Sequence, residues 1–553
     1  MLKTKIVSSL ENCFIDQKIE DFKSLEKLSV MKNERFSFQV IATIDDVTDP
    51  MRDQYSYRIE GDLSEYATVR EVISVPVTMP AIPGVSHDNY LRTTPGLYPD
   101  LLLPLRYEGR LGVIKGNLSA LWVEIDLRNI NDVTIGESTI SFSLIKGNSI
   151  FTQKIIVEVI DAKLPEQELK FTEWFYCDCI ANYYGCEVWS EKHWELIENF
   201  ARCAKSNGIN MLLTPVFTPS LDTRVGGERL TTQLVGITLE NDKYSFDYSL
   251  LDRWVDMCDR VGIKYFEIAH FFTQWGAEHA PKIMATVDGE YKQIFGWETC
   301  ATSPEYTDFI RHFIVELLEH MKTNGNDKRC YFHISDEPVM QQLESYGSAK
   351  KSIADLLEGY TIMDALSNYE FYADGVVSTP IPDTANTDPF IQNNVQNLWT
   401  YYCSGQWKDV SNRFLAMPSY RNRSIGMQMY KYDIVGFLHW GYNFYNTQGS
   451  YNPINPYTDT CGDGWVPAGD TFSVYPGADG NALESLRIVV FYDALQDMMA
   501  MKLAEKLCGK EKVVETIEKA FGSELVYFHK CARSSEQMLA VREAVNSLIK
   551  NNI

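Results

Sequence analysis

No apolar stretch in this chain of 553 residues approaches the roughly 20 needed to span a bilayer, so no integral membrane association is expected. Basic side chains are in deficit: 51 Lys and Arg face 75 Asp and Glu, a formal net charge of −24. Lys and Arg supply the affinity for phosphate backbones and anionic lipid, so nucleic acid is a poor candidate partner. The start, Met1-Leu2-Lys3-Thr4-Lys5-Ile6-Val7, has two lysines but no signal-like apolar run before Glu11 and Asp16. A cytoplasmic protein is therefore expected. Its 12 cysteines are too sparse for a disulfide scaffold and are expected as reduced thiols. Cys177, Cys179 and Cys186 cluster without a nearby histidine pair, a weak zinc pattern. Also missing are a glycine-rich phosphate turn, a G-x-S-x-G elbow and an H-E-x-x-H helix, and residues 383–388 (DTANTD) lack the ligand spacing of a calcium loop. Neither metal nor cofactor is expected.

What is abundant is aromatic: 31 Tyr, 27 Phe and 11 Trp make up 12% of the chain. Such side chains fill cores, but they also stack on the apolar faces of sugar rings. To about residue 160 the text consists of short β-rich runs, such as Phe36-Ser37-Phe38-Gln39-Val40 and Lys154-Ile155-Ile156-Val157-Glu158-Val159, punctuated by Asn, Asp, Gly and Pro. This pattern reads as a β-sandwich. Beyond a polar, proline-containing linker at 161–170, strands alternate with helical periodicity. Strands are expected at 171–176, 209–213, 263–269, 331–335, 370–373, 397–402, 435–440 and 472–475, with helices at 190–206, 249–260, 305–322 and 348–366. The fold class is thus α/β: an N-terminal β-sandwich (1–165), a (β/α)8 TIM-like barrel (166–505) and C-terminal helices packed on it (506–553). An open doubly wound sheet is the alternative, disfavoured by the missing phosphate turn. In a barrel, chemistry belongs on the loops leaving the strands' C-terminal ends, and those at 215–247, 270–303 and 441–471 are long and aromatic.

The sharpest feature is Tyr331-Phe332-His333-Ile334-Ser335-Asp336-Glu337-Pro338, an apolar strand ending in two adjacent carboxylates. Side chains alternate faces along a strand, so both acids reach one cavity only where regular geometry breaks. Confinement would push their pKa values apart and leave one acid ionised and one a proton donor. The competing reading is a helix start that gathers acids for its dipole, with Pro338 at the first turn. In most retaining glycosidases the two carboxyl groups face each other about 5 Å apart. Sequence neighbours cannot easily do so. They fit a substrate-assisted reaction, in which the sugar's own 2-acetamido oxygen attacks while one acid orients it and the other protonates the leaving oxygen.

His333-Ile334-Ser335-Asp336-Glu337-Pro338, the run at 436–445 (GFLHWGYNFY) and the segment at 471–488 (TFSVYPGADGNALESLRI) together resemble the family 123 glycoside hydrolases, which are β-N-acetylgalactosaminidases. The resemblance covers about 171–500 and matches the sandwich-then-barrel order. It implies retaining, substrate-assisted hydrolysis through an oxazolinium intermediate, without metal or cofactor. On it, Asp336 takes the place of the residue that orients the acetamido group and Glu337 that of the general acid/base. The choice of galacto over gluco substrates rests on this resemblance.

Further candidates follow from strand ends. Trp440, Tyr442 and Asn443 follow one strand, with an indole as a sugar platform or as barrel packing. His270 and Trp275 leave another; the histidine is either a hydroxyl donor or a structural group. Asp374 is a candidate for sugar hydroxyls, Tyr401 and Tyr402 for the acetamido oxygen, and Trp174 and Asp178 close the first strand. His333 and Ser335 read as supporting groups. The rivals are a glycosidase with Glu267 or Asp374 as protein nucleophile, and a non-catalytic carbohydrate binder. The expected partner is a glycan or glycolipid with terminal β-linked N-acetylgalactosamine, neutral rather than sulfated or sialylated given the net charge. The sandwich has three candidate roles: supporting the barrel, forming a homodimer, or contacting substrate.

Overall fold

The protein is described here by a computed structural model covering residues 1–45, 52–85, 89–522 and 527–553. Up to Ile160 the chain folds into two five-stranded sheets. One has the order Leu2–Ser8, Arg35–Ile44, Ser119–Asp126, Ala67–Val77, Gly96–Pro104; the other Lys27–Met31, Ser149–Ile160, Gly136–Lys146, Arg52–Glu60, Leu111–Ile114. Neighbours are antiparallel except Lys27–Met31, which runs parallel to Ser149–Ile160. Alternation puts Phe36, Phe38 and Val40 of one sheet and Ile140, Phe142, Ile155 and Val157 of the other into a single buried cluster, so the sheets pack face to face.

Eight parallel strands follow in chain order: Lys170–Glu173, Met211–Thr214, Tyr265–Ile268, Cys330–Phe332, Thr361–Leu366, Thr379–Pro382, Trp399–Tyr401 and Gly436–His439. The first pairs with the eighth, and a lone parallel bridge between Asp383 and Tyr401 joins the sixth to the seventh, so the sheet curls into a nearly closed barrel. Every residue of the second and eighth strands is buried, as expected when helices cover a parallel sheet from outside. Ser190 caps the helix Glu191–Ser206 by accepting from the His193 amide, and Ser303 caps Pro304–Thr323 in the same way.

Two expected strands are corrected. Residues 370–373 form a one-turn helix, Glu370–Ala373. Residues 472–475 give only Val474–Pro476, which pairs with Ala482–Glu484 outside the barrel. Their places are taken by Thr361–Leu366 and Thr379–Pro382. The expected helix at 348–366 stops at Ile353; a short 3-10 turn follows, then Gly359 at φ +85° turns the chain into the fifth strand. The sixth strand hides behind two prolines, tolerated because it is laddered along only one flank.

The loops after the second and third barrel strands each raise a hairpin, Gly236–Glu240 with Lys243–Asp247 and Ile283–Val287 with Glu290–Phe295. These join in one four-stranded sheet beside the rim. The helix Leu486–Cys508 is buried nearly all round, with Phe491 stacked on Phe171 and tilted against Phe437. It runs past the boundary expected at residue 505. Lys510–Phe521 and Ser535–Lys550 complete the helical C-terminal segment.

Candidate active site

The fourth barrel strand is regular only to Phe332. Past it the chain leaves ladder geometry, and Glu337 adopts φ +41°, in the left-handed region that costs a non-glycine residue roughly 1–3 kcal/mol. This break lets consecutive side chains serve one space: Asp336 and Glu337 both line a cleft of about 120 Å³ at the strands' C-terminal ends. Pro338 does not open a helix. A 3-10 turn begins only at Met340, and the Val339 amide donates to the Gln342 side chain. The reading as a helix start therefore fails.

Burial raises the pKa of Asp336 well above the carboxylate range, and Glu337 and Asp222 push it further; the nearby His333 cation opposes them. Glu337 is likewise raised by burial, while the Tyr401 hydroxyl, which donates to its Oε1 over 2.5 Å, favours the anion. Both acids thus hold protons more tightly than exposed carboxyls, the condition for a proton donor near neutral pH.

Beneath them is a buried polar layer. The His333 Nε2 meets Glu267 Oε1 at 2.8 Å and its Nδ1 meets Asp364 Oδ1 at 3.1 Å. Glu267 also accepts from Trp174 Nε1 at 2.8 Å and from the Thr172 hydroxyl, and Asp364 accepts from the Tyr346 hydroxyl. Burial works to lower the His333 pKa, but its bonds to Asp364 and Glu267 outweigh that and raise it to about 10, which favours the imidazolium. Ligand atoms of His270, His333 and Asp364 lie within 4.8 Å of one another. Both ring nitrogens of His333 are taken up by carboxylates, an arrangement in which the trio forms a hydrogen-bonded support.

Of the candidates read from the sequence, Trp174, Trp275, Asp336, Glu337, Tyr401 and Trp440 line the cleft. Trp275 is 47% exposed, and its amide donates to the Asp336 carbonyl at 3.0 Å. Trp440 donates from Nε1 to Asp470 at 3.0 Å and packs edge-on against Trp465. The other six lie elsewhere. His270 is buried, stacked on His333 with centroids 4.2 Å apart, neither ring nitrogen hydrogen-bonded, its pKa driven well down by burial. Asp374 caps the Glu370–Ala373 helix on the surface and does not line the cleft. Tyr402 points away from its neighbour Tyr401, donating to Asn422 at 3.0 Å. Tyr442 stacks on Phe175 and donates to the Phe200 carbonyl, and Asn443 clasps both backbone groups of Tyr176. Asp178 is spent on a two-pronged pair with Arg229. All twelve cysteines are free of disulfides.

Sequence reasoning missed Asp222 and Trp465, which also line the cleft. Both come from irregular loop, where no periodicity marks which side chain points inward; only the length of those loops pointed to the rim.

A model of the glycoside hydrolase 123 catalytic domain matches residues 174–504, more than half of the chain. Among solved structures the chain is similar to a family 123 glycoside hydrolase from Clostridium perfringens, described for glycolipid glycan hydrolysis. The TM-score is 0.74 at 16% identity, over 100% of this chain and 98% of that one. Fainter likenesses are to a β-glucuronidase of Parabacteroides merdae, with TM-score 0.31 and 11% identity over 90% of this chain and 51% of that one, and to an endo-β-1,4-mannanase of Thermotoga petrophila, with TM-score 0.32 and 10% identity over 61% and 78%. These two carry no argument. No curated protein matches the chain. The span of the catalytic-domain match settles the family: the chain belongs to the family 123 glycoside hydrolases.

Proposed function

We propose that the protein is an exo-acting, retaining β-N-acetylgalactosaminidase that hydrolyses terminal β-linked N-acetylgalactosamine by substrate-assisted catalysis. The observation that carries this reading is the adjacency of Asp336 and Glu337 on one cleft. In the reaction the carbonyl oxygen of the 2-acetamido group attacks the anomeric carbon as the bond to the leaving oxygen breaks, and Glu337 gives that oxygen its proton. Asp336 gives up its proton to solvent as the sugar binds, accepts the acetamido N–H as the carboxylate and stabilises the positive oxazolinium. Glu337, now ionised, takes a proton from the water that reopens the ring, which restores the β configuration. Trp440 and Trp275 offer faces for the sugar.

A protein nucleophile is less well supported. Glu267 is buried and engaged by Thr172, Trp174 and His333, and Asp374 is an exposed helix cap outside the cleft. The galacto configuration is drawn from the family resemblance, and a neutral glycan suits the net charge of −24.

The test is turnover of aryl β-GalNAc and β-GlcNAc by wild type, Glu337→Ala and Asp336→Asn. Each substitution is expected to cost on the order of 10² to 10⁴-fold, with the Glu337→Ala loss smallest for an activated leaving group. Turnover untouched by both changes, or calorimetric binding of GalNAc with no turnover by wild type, contradicts the reading.

A further inference from the structure

Asp222 lines the same cleft as Asp336 and Glu337, carried there by the loop after the second barrel strand. Its backbone has φ +47°, a left-handed conformation that Trp275 at +59° and Glu337 at +41° share. Strain of this kind persists only where the surroundings enforce it, and it gathers at functional sites. The enforcement is visible. The Asp222 amide donates to Gln274 Oε1 at 2.6 Å, its carbonyl accepts from Ser450 Oγ at 2.8 Å, and the Tyr176 hydroxyl reaches its Oδ2 at 3.4 Å. Three other rim loops, those after the third, eighth and first barrel strands, thus converge to fix one carboxylate.

Charge pairing does not explain it. Arg229 is the nearby cation, but its Nε and one Nη bind Asp178 at 2.8 Å each and the other Nη binds the Leu221 carbonyl at 2.9 Å. Apart from the long contact with Tyr176, Asp222 has no hydrogen-bonded side-chain donor among the described residues. Burial and the neighbouring Glu337 raise its pKa to about 7 in spite of Arg229. Such a group is costly while its oxygens lack donors and is well suited to receive hydroxyl donors.

We propose that Asp222 is a substrate-positioning carboxylate whose oxygens accept hydroxyl hydrogens of the terminal sugar, so that it discriminates among ring hydroxyls while Asp336 and Glu337 act at the anomeric centre. This rests on the glycosidase reading above. The test is a cycle of kcat/KM values for wild type, Asp222→Asn and Asp222→Gly on an aryl glycoside and its 3-, 4- and 6-deoxy analogues. Asn and Gly both tolerate positive φ, so neither substitution adds backbone strain. For wild type, deleting the contacted hydroxyl is expected to cost about 10- to 100-fold, the worth of a hydrogen bond to a charged group. In Asp222→Gly that one penalty falls to about twofold while the others stand; in Asp222→Asn it is intermediate. Equal penalties in wild type and Asp222→Gly for every hydroxyl overturn the proposal. Wild type active only on sugars lacking the acetamido group overturns the functional reading alone, and the cycle is then run on that sugar. Wild type inert on all aryl glycosides overturns both.

Discussion

Tyr401 donates to Glu337 Oε1 over 2.5 Å, and this bond favours the ionised carboxylate against the burial that raises its pKa. Removing the hydroxyl therefore raises the pKa further. In Tyr401→Phe the alkaline limb of kcat/KM, where a general acid loses its proton, should move to higher pH; a limb that stays or moves down argues against Glu337 as the acid. The neighbouring tyrosines also mark how far residues were legible. Tyr401 and Tyr402 were proposed together, yet side chains alternate along a strand, so only one of the two can face the barrel's interior end. Asp336 and Glu337 were legible because an apolar strand ending in two acids and a proline has few other uses. Asp222 was not, since nothing in a loop's sequence says where a left-handed turn aims its side chain.

Three adjacent strands are cross-braced by one buried cation. His333, just past the fourth strand, is held between Glu267 of the third and Asp364 of the fifth. Breaking a buried pair costs more than the pair ever contributes, because the orphaned charges remain, so His333→Leu should destabilise by about 3–5 kcal/mol in denaturant unfolding. The pH dependence has a defined sign. The folded pKa of about 10 lies above the ordinary value of 6.5, so the stabilisation is full below about 6.5 and is lost as pH rises through about 10. The stability gap between wild type and His333→Leu should narrow over that range; a gap constant with pH means that His333 is neutral. At this scale the sequence showed six of the eight barrel strands. The fifth was absorbed into the preceding helix because a short apolar run suits either structure, and the sixth was masked by Pro380 and Pro382.

Buried ion pairs tie the sandwich to the barrel. Arg487 grips Asp100 with two bonds of 2.9 Å, Arg70 bridges Glu124 and Glu484, and Arg542 of the last helix joins Glu34 to Asp497. Such contacts fix one arrangement of the parts and fit a sandwich that supports the barrel. Arg487 also holds the carbonyls of Gly469 and Phe472, which flank the Asp470 that receives Trp440. The sandwich is thereby connected to the aromatic wall of the cleft. The high aromatic content serves both ends: most of it is core, and Trp174, itself a core residue, lines the cleft with Trp275, Trp440 and Trp465. On the function proposed above, this framework would hold one sugar over two adjacent acids, and the proposal stands or falls on the sugar supplying its own nucleophile. The most direct measurement is kcat/KM for aryl β-GalNAc substrates whose acetamido carries zero, one, two or three fluorines. Fluorine drains the carbonyl oxygen that attacks, so the account predicts a steep, progressive fall across the series; a rate indifferent to fluorination would contradict it.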